Sequence, residues 1–305
     1  MTEQLHLFEE AGADAPPGDA PAAWEGAAGG VDELLQALAR WSRGGEYLAL
    51  LEFLCRFPAY SPLNAFLIRL QNPQATRVAT ARAWVTRFRR RLKPEARPIA
   101  ILAPMSPVVF VFDVADTVGP PLAAAEAGGG AKRSAARTLE TLAAKLAAER
   151  VAVVSTPAPT PPAERTLRLT PALRRSLGAE APPARMRTLV RLPEALPPEG
   201  RLAALAVELG HLFCGHLGGD EEAGFPDRGD LPGEQADLEA ESAAFLACRR
   251  LGFPGAAAEW LAGLRARPEA ERPPLSLNAV LQAAARIEAL ARPHPPRRSR
   301  GRGGA

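Results

Sequence analysis

Residues 202 to 218 read LAALAVELGHLFCGHLG, with Glu208 three positions before His211. In the pattern H-E-x-x-H, two histidines one helical turn apart clamp a zinc ion, and the glutamate between them takes a proton from metal-bound water. Here the first histidine position holds Val207, which has no lone pair to offer. His216 follows His211 by five positions, about 140° further round an ideal helix, so their imidazoles diverge unless the helix ends between them. Gly215 makes such an ending possible. Cys214 is closer in angle to His211, although a buried cysteine more often serves as a small apolar core residue. The competing reading is structural: Leu202, Leu205, Leu209, Leu212 and Phe213 form an apolar stripe, and His211 beside it could be a hydrogen-bonded core histidine.

Two further segments carry chemistry. GEQADLEAESAAFLACRRLG opens with Glu234, Asp237, Glu239 and Glu241. Acids in a first turn offset the helix dipole, and a downstream helix also supplies the carboxylate where two histidines and a glutamate hold zinc. RAWVTRFRRRLKPEAR, residues 82 to 97, sets Arg82, Arg87, Arg89, Arg90, Arg91, Lys93 and Arg97 against the single acid Glu95, with Trp84 and Phe88 interleaved. Cations neutralise phosphates and aromatic faces stack unpaired bases, so the mixture suits single-stranded nucleic acid. Equally, Trp84 and Phe88 could be core and the arginines a solvated face. The run DEEAGFPDRGDLPGEQADLEAE has Arg228 as its only base and would repel a phosphate backbone.

These residues must be positioned by regular elements. Helical spacing is expected from Val31 through Leu54, and Ser61 can cap a helix that starts at Pro62. TRVATARAW, PIAILAP and PVVFVFDVADT read as strands of a small sheet. GPPLAAAEAGGGAKR, residues 119 to 133, is linker chemistry and marks a domain boundary. Beyond it come an Ala-rich helix near 134 to 149 and strands at VAVVST, RTLRL and RTLVRL. Helices are then expected at 199 to 217, 233 to 251, 255 to 266 and 276 to 292. The expected division is a disordered leader at 1 to 30, a first domain at 31 to 118, a second at 134 to 293 and a basic tail at 294 to 305.

At 305 residues, 47% hydrophobic and 23% charged, the chain belongs with soluble globular proteins and has room for two cores. The net charge of +3 is carried almost wholly by arginine, with lysine only at 93, 132 and 145. Arginine excess suits phosphate contact, although a GC-rich coding sequence yields the same bias. Cys55, Cys214 and Cys248 are too few and too scattered for a disulfide framework or a C-x-x-C knuckle. The acidic N-terminus is no secretory signal and no apolar run approaches the ~20 residues of a membrane span, so the expected location is the cytoplasm.

ELGHLFCGHLG, LEAESAAFLACRRLG and SLNAVLQAAARIEAL together resemble the zincin-like domain of ImmA/IrrE-type metallopeptidases. YSPLNAFLIRLQNPQATRVATARAW, PIAILAP and VFDVADT resemble the single-stranded-DNA-binding domain of ArdC-like antirestriction proteins. The two resemblances cover roughly residues 31 to 292. They imply an α+β protein of two domains, a small mixed helix/sheet module followed by a mostly helical zincin-like domain with a small sheet. They further imply His211 as a zinc ligand, Glu208 as general base and Glu239 as carboxylate ligand, with Glu241 the nearby alternative and Val207 at the lost ligand position. Zinc is then expected to be weakly bound or absent and peptidase activity weak or lost. The alternative is a non-catalytic DNA-binding or regulatory protein that uses the zincin fold as a scaffold. A third reading is a peptidase with a rearranged site using His216. Single-stranded DNA is the expected partner, with a protein substrate or regulatory partner also open, and no membrane. Tyr60, Asn64 and Gln71 match the ArdC-like pattern and could orient the turn and sheet or touch nucleic acid. ArdC-like members often carry a glycine and lysines where this chain has TRFRRRLKPEAR.

Overall fold

Caps written into the sequence set where two of the early helices begin. The computed structural model describes residues 46–103, 108–122, 133–157, 160–161, 165–222, 224–257, 260, 262–263 and 273–293. The expected leader, basic tail, helical run before residue 46 and most of the linker lie outside them. Helix α1 spans Glu46–Leu54, and the Ser61 hydroxyl accepts the Asn64 N–H to start α2 (Pro62–Gln71), with Pro62 in the first turn. Strand β1 is only Val78–Ala79, because the Thr80 hydroxyl accepts the Ala83 N–H and starts α3 (Ala81–Thr86). The strand expected over 76 to 84 is therefore corrected: one cap overrides its β-branched composition.

Strands β2 (Arg91–Leu92), β3 (Ile99–Ile101), β4 (Val109–Asp113) and β5 (Thr117–Val118) follow. They form an antiparallel sheet in the order β1-β4-β3 and a separate β2-β5 ribbon. The open edge of β3 is closed by side chains of α2. The Asn64 amide donates to Leu102 O and accepts from Leu102 N–H, both at 2.9 Å. Gln71 does the same with Ala100, both at 2.8 Å. Tyr60 donates to Val78 O at 2.8 Å. All three residues thus orient the turn and sheet, satisfying backbone groups an edge strand would leave unpaired.

The second half contributes α4 (Ala135–Ala148), β6 (Val151–Thr156), β7 (Thr166–Arg168), α5 (Pro171–Leu177), β8 (Thr188–Pro193), α6 (Pro198–Phe213), α7 (Gly233–Arg250) and α8 (Leu277–Ala291). The sheet order is β6-β8-β7, with β6 parallel and β7 antiparallel to β8. Of the helix expected over 255 to 266, a 3-10 turn at Pro254–Ala257 is seen, and much of the rest lies outside the described residues. Helix α6 packs on α7, with α4 and α8 beside it. The architecture is mixed helix and small sheets, as an α+β class requires.

One apolar cluster runs through both halves, joining Leu50, Phe66 and Ile101 to Leu142, Leu209, Phe245 and Val280. Buried Arg250 ties them further. It donates to Leu54 O at 2.7 Å, to Phe57 O at 3.1 Å and to Tyr60 O, while Glu288 accepts from its Nε at 2.5 Å. Among the described residues no helix is long and apolar enough to cross a membrane. The three cysteines are free thiols.

Candidate functional site

The site is built where α6 and α7 touch backbone to backbone. A Cβ on Gly210 would stand 2.6 Å from Ala240 O and 2.8 Å from its Cα, so only glycine permits this approach. Four residues later α6 ends in a Schellman motif, with His216 N–H on His211 O at 3.0 Å and Gly215 N–H on Leu212 O at 3.2 Å. Gly215 takes φ 84°, and a Cβ there would meet Pro226 O at 2.1 Å. This reversal provides the helix ending that the spacing of the two histidines demands. It swings His216 back beside His211, Nδ1 to Nδ1 at 3.2 Å.

Glu239, fully buried on α7, is the hub. His216 Nε2 lies 3.0 Å from Oε2, Arg228 donates to Oε2 at 2.6 Å and to Oε1 at 2.8 Å, and the Ser276 N–H donates to Oε1 at 2.7 Å. Burial alone would raise this carboxyl's pKa, but the hydrogen bonds from His216, Arg228 and Ser276 outweigh it and lower the pKa to about 2. Because the carboxylate is ionised, His216 presents Nε2–H to it. Arg228 also donates to Cys214 O at 3.3 Å, which folds the 214–232 loop over the end of α6.

The other expected site residues fall around this hub rather than into one clamp. Both ring nitrogens of His211 face neighbours, Nδ1 toward His216 and Nε2 toward Asp237 Oδ1 at 3.6 Å. Burial first, and the charge of His216 second, lower its pKa to about 4 and keep it neutral near pH 7. Glu208 is buried and accepts from the Thr166 hydroxyl at 2.7 Å, and burial raises its pKa. Val207 packs against the apolar cluster. Glu241, two positions beyond Glu239, points off at about 200° on the same helix and is half-buried.

Cys214, His216 and Glu239 form a group whose donor atoms lie within 4.8 Å of one another and could hold a metal ion. This is not the expected pairing of His211 with Glu239. The H-E-x-x-H arrangement does not fit a zinc ion here: Val207 gives no donor, and the two ring nitrogens of His211 face His216 and Asp237. Sequence reasoning missed Arg228, whose only signal was being the single base in an acidic run.

In the basic segment the structure divides the expected contacts. Trp84 is fully buried, donates its indole N–H to Phe112 O at 2.9 Å and stacks on half-buried Phe88, centroids 4.9 Å apart. It therefore belongs to a small second core with Ala79 and Ala83, and offers no face to a base. Arg90 closes the β2-β5 ribbon by donating to Thr117 Oγ1, Thr117 O, Gly119 O and Pro120 O. Lys93 donates to Ala115 O at 2.8 Å. Arg82, Arg87, Arg89 and Arg91 remain exposed. Arg89 holds φ 54°, a left-handed conformation that favours glycine. Comparison of the chain with protein-family models, curated proteins and solved structures returns no match.

Proposed function

We propose that the chain is a two-part protein, an ArdC-like module that binds single-stranded DNA followed by a zincin-like domain of ImmA/IrrE type whose peptidase activity is lost. The observation that carries this reading is the Arg228 fork on Glu239, in a site whose first ligand position is Val207. A guanidinium bound bidentately satisfies the carboxylate and supplies the positive charge there, without a polarised water for Glu208 to deprotonate. Glu208, held by Thr166, is left as a buried polar anchor between β7 and α6. The zincin-like domain then acts as scaffold or regulatory surface.

Nucleic-acid binding rests on the exposed Arg82, Arg87, Arg89 and Arg91, clustered on α3, β2 and the turn between them. The left-handed backbone at Arg89 supports the ArdC-like reading, since that pattern often places a glycine in this segment. The acidic run from Asp220 to Glu241 belongs to the other part and disfavours phosphate there.

Single-stranded oligonucleotide binding followed by fluorescence anisotropy tests the first half of the proposal. The slope of log K against log salt is expected at about −2 to −3, from about −0.7 per phosphate neutralised. Reversing Arg87, Arg89 and Arg91 to Glu should weaken binding at least about tenfold. A salt-independent curve sinks it. For the second half, zinc-supplemented protein should leave a degenerate peptide library intact. Cleavage that disappears in Glu208→Gln would show an active peptidase.

A further inference from the structure

The cluster around Glu239 has a second capacity, one that uses this carboxylate without Val207 or His211 as a ligand position. His216 Nε2 and Glu239 Oε2 stand 3.0 Å apart, and Cys214 Sγ lies within 4.8 Å of a ring nitrogen of His216 and a carboxylate oxygen of Glu239. Two ligands on a tetrahedral zinc, each about 2.0–2.1 Å from the ion, sit about 3.3 Å from each other. A metal ion could therefore replace the proton between His216 and Glu239 with only small shifts, and Cys214 closes the third side.

We propose that Cys214, His216 and Glu239 form a binding site for a divalent transition metal, with Arg228 the built-in competitor that sets its affinity. Thiolate, imidazole and carboxylate together favour Zn²⁺ or Co²⁺ over Mg²⁺ and Ca²⁺. Binding expels the Cys214 thiol proton to solvent, while the ring proton of neutral His216 moves from Nε2 to Nδ1, where His211 Nδ1 accepts it. The His211 ring at His216 Nδ1 orients the ligand histidine, as a hydrogen-bond partner behind a metal-bound imidazole does. Arg228 shares Oε2 with His216 at 2.6 Å, so its charge opposes the ion directly.

A second feature of the structure points to a ligand at this place. The Tyr47 side chain from α1 is buried, and its hydroxyl makes no hydrogen bond at the usual distance. Burial chiefly pushes its pKa up, a long hydrogen bond with Ser242 works against the rise, and the charges of Glu239 and Cys214 add to it. The hydroxyl is thus a neutral donor next to the cluster. A water bound to the metal would offer it a nearer acceptor than Ser242. The site shares Glu239 and Arg228 with the proposed function and rests on that geometry, but the two fail distinguishably: cobalt binding reports the metal site, whereas cleavage that depends on Glu208 reports a peptidase.

Metal-stripped, full-length protein titrated with Co²⁺ tests the proposal by absorbance. One equivalent should bind with a thiolate-to-cobalt charge-transfer band and tetrahedral d–d bands. Zn²⁺ should abolish both and Mg²⁺ neither. Cys214→Ser should lose the charge-transfer band while Cys55→Ser and Cys248→Ser keep it. Arg228→Gln should tighten binding on the order of tenfold. A wild-type spectrum without the thiolate band overturns the proposal, and so does a band that persists in Cys214→Ser. If Cys214→Ser fails to fold, the wild-type band and Arg228→Gln still decide, since unchanged or weakened affinity in Arg228→Gln also overturns it.

Discussion

At the scale of single residues, the charge states around Glu239 make acid stability a direct reading of the site. His211 is held neutral, with a folded pKa of about 4 against an ordinary 6.5. Between those values the unfolded chain binds a proton that the folded chain does not. The stabilising contribution is therefore complete above pH 6.5 and is lost as pH falls toward 4. Glu239, at about 2 against 4.5, extends the loss from pH 4.5 downward. Urea unfolding at pH 7, 6, 5 and 4 should show stability falling across this window, with His211→Gln flattening the upper part. Equal slopes for the two proteins would refute the assignment. The turning of His216 was legible in the sequence, because Gly215 sits where a Schellman ending needs it. The role of Arg228 was not. An arginine in a loop is aimed by tertiary packing, and its separation of 11 residues from Glu239 fits no helical or strand repeat that starts in the loop.

At the scale of elements, the helix pair carries the site and one glycine sets its spacing. Because a Cβ at Gly210 would lie 2.6 Å from Ala240 O, Gly210→Val forces α6 and α7 apart. Overpacking of this kind costs about 1–3 kcal/mol, and contact with backbone rather than a side-chain tip places it at the upper end. Thermal unfolding should show the loss. The His216–Glu239 contact should loosen with it, seen as a more accessible Cys214 toward a thiol reagent. Unchanged reactivity would mean that the crossing does not position the cluster. Most helices followed from apolar spacing and caps, with α4, α6, α7 and α8 close to their expected ranges. The helical turn at α3 did not, since Thr80, Val85 and Thr86 favour strands by type and only the cap geometry decides. Trp84 and Arg90 likewise carried the composition of a nucleic-acid surface, but the packing of α3 against β4 turned Trp84 inward and the backbone of β5 engaged Arg90.

At the scale of the whole molecule, Arg250 and Glu288 bind the first two helices to the last two. Their side chains are 0% and 4% exposed, so removing one partner leaves a buried charge. Arg250→Ala should therefore cost about 3–5 kcal/mol. Unfolding monitored by Trp fluorescence and by far-UV circular dichroism should move together, because one apolar cluster spans both halves. A drop confined to one probe would show the halves melting separately. The same clasp orders events in time. Leu54 O is bonded by a residue 196 positions later in the chain. At ~5–20 residues per second, a ribosome takes roughly 10–40 s to reach Arg250 after placing Leu54. During that interval the carbonyls of Leu54, Phe57 and Tyr60 lack their guanidinium, and the apolar face of α1 lacks α7. The nascent N-terminal half must wait, with that face unburied, for its own far end.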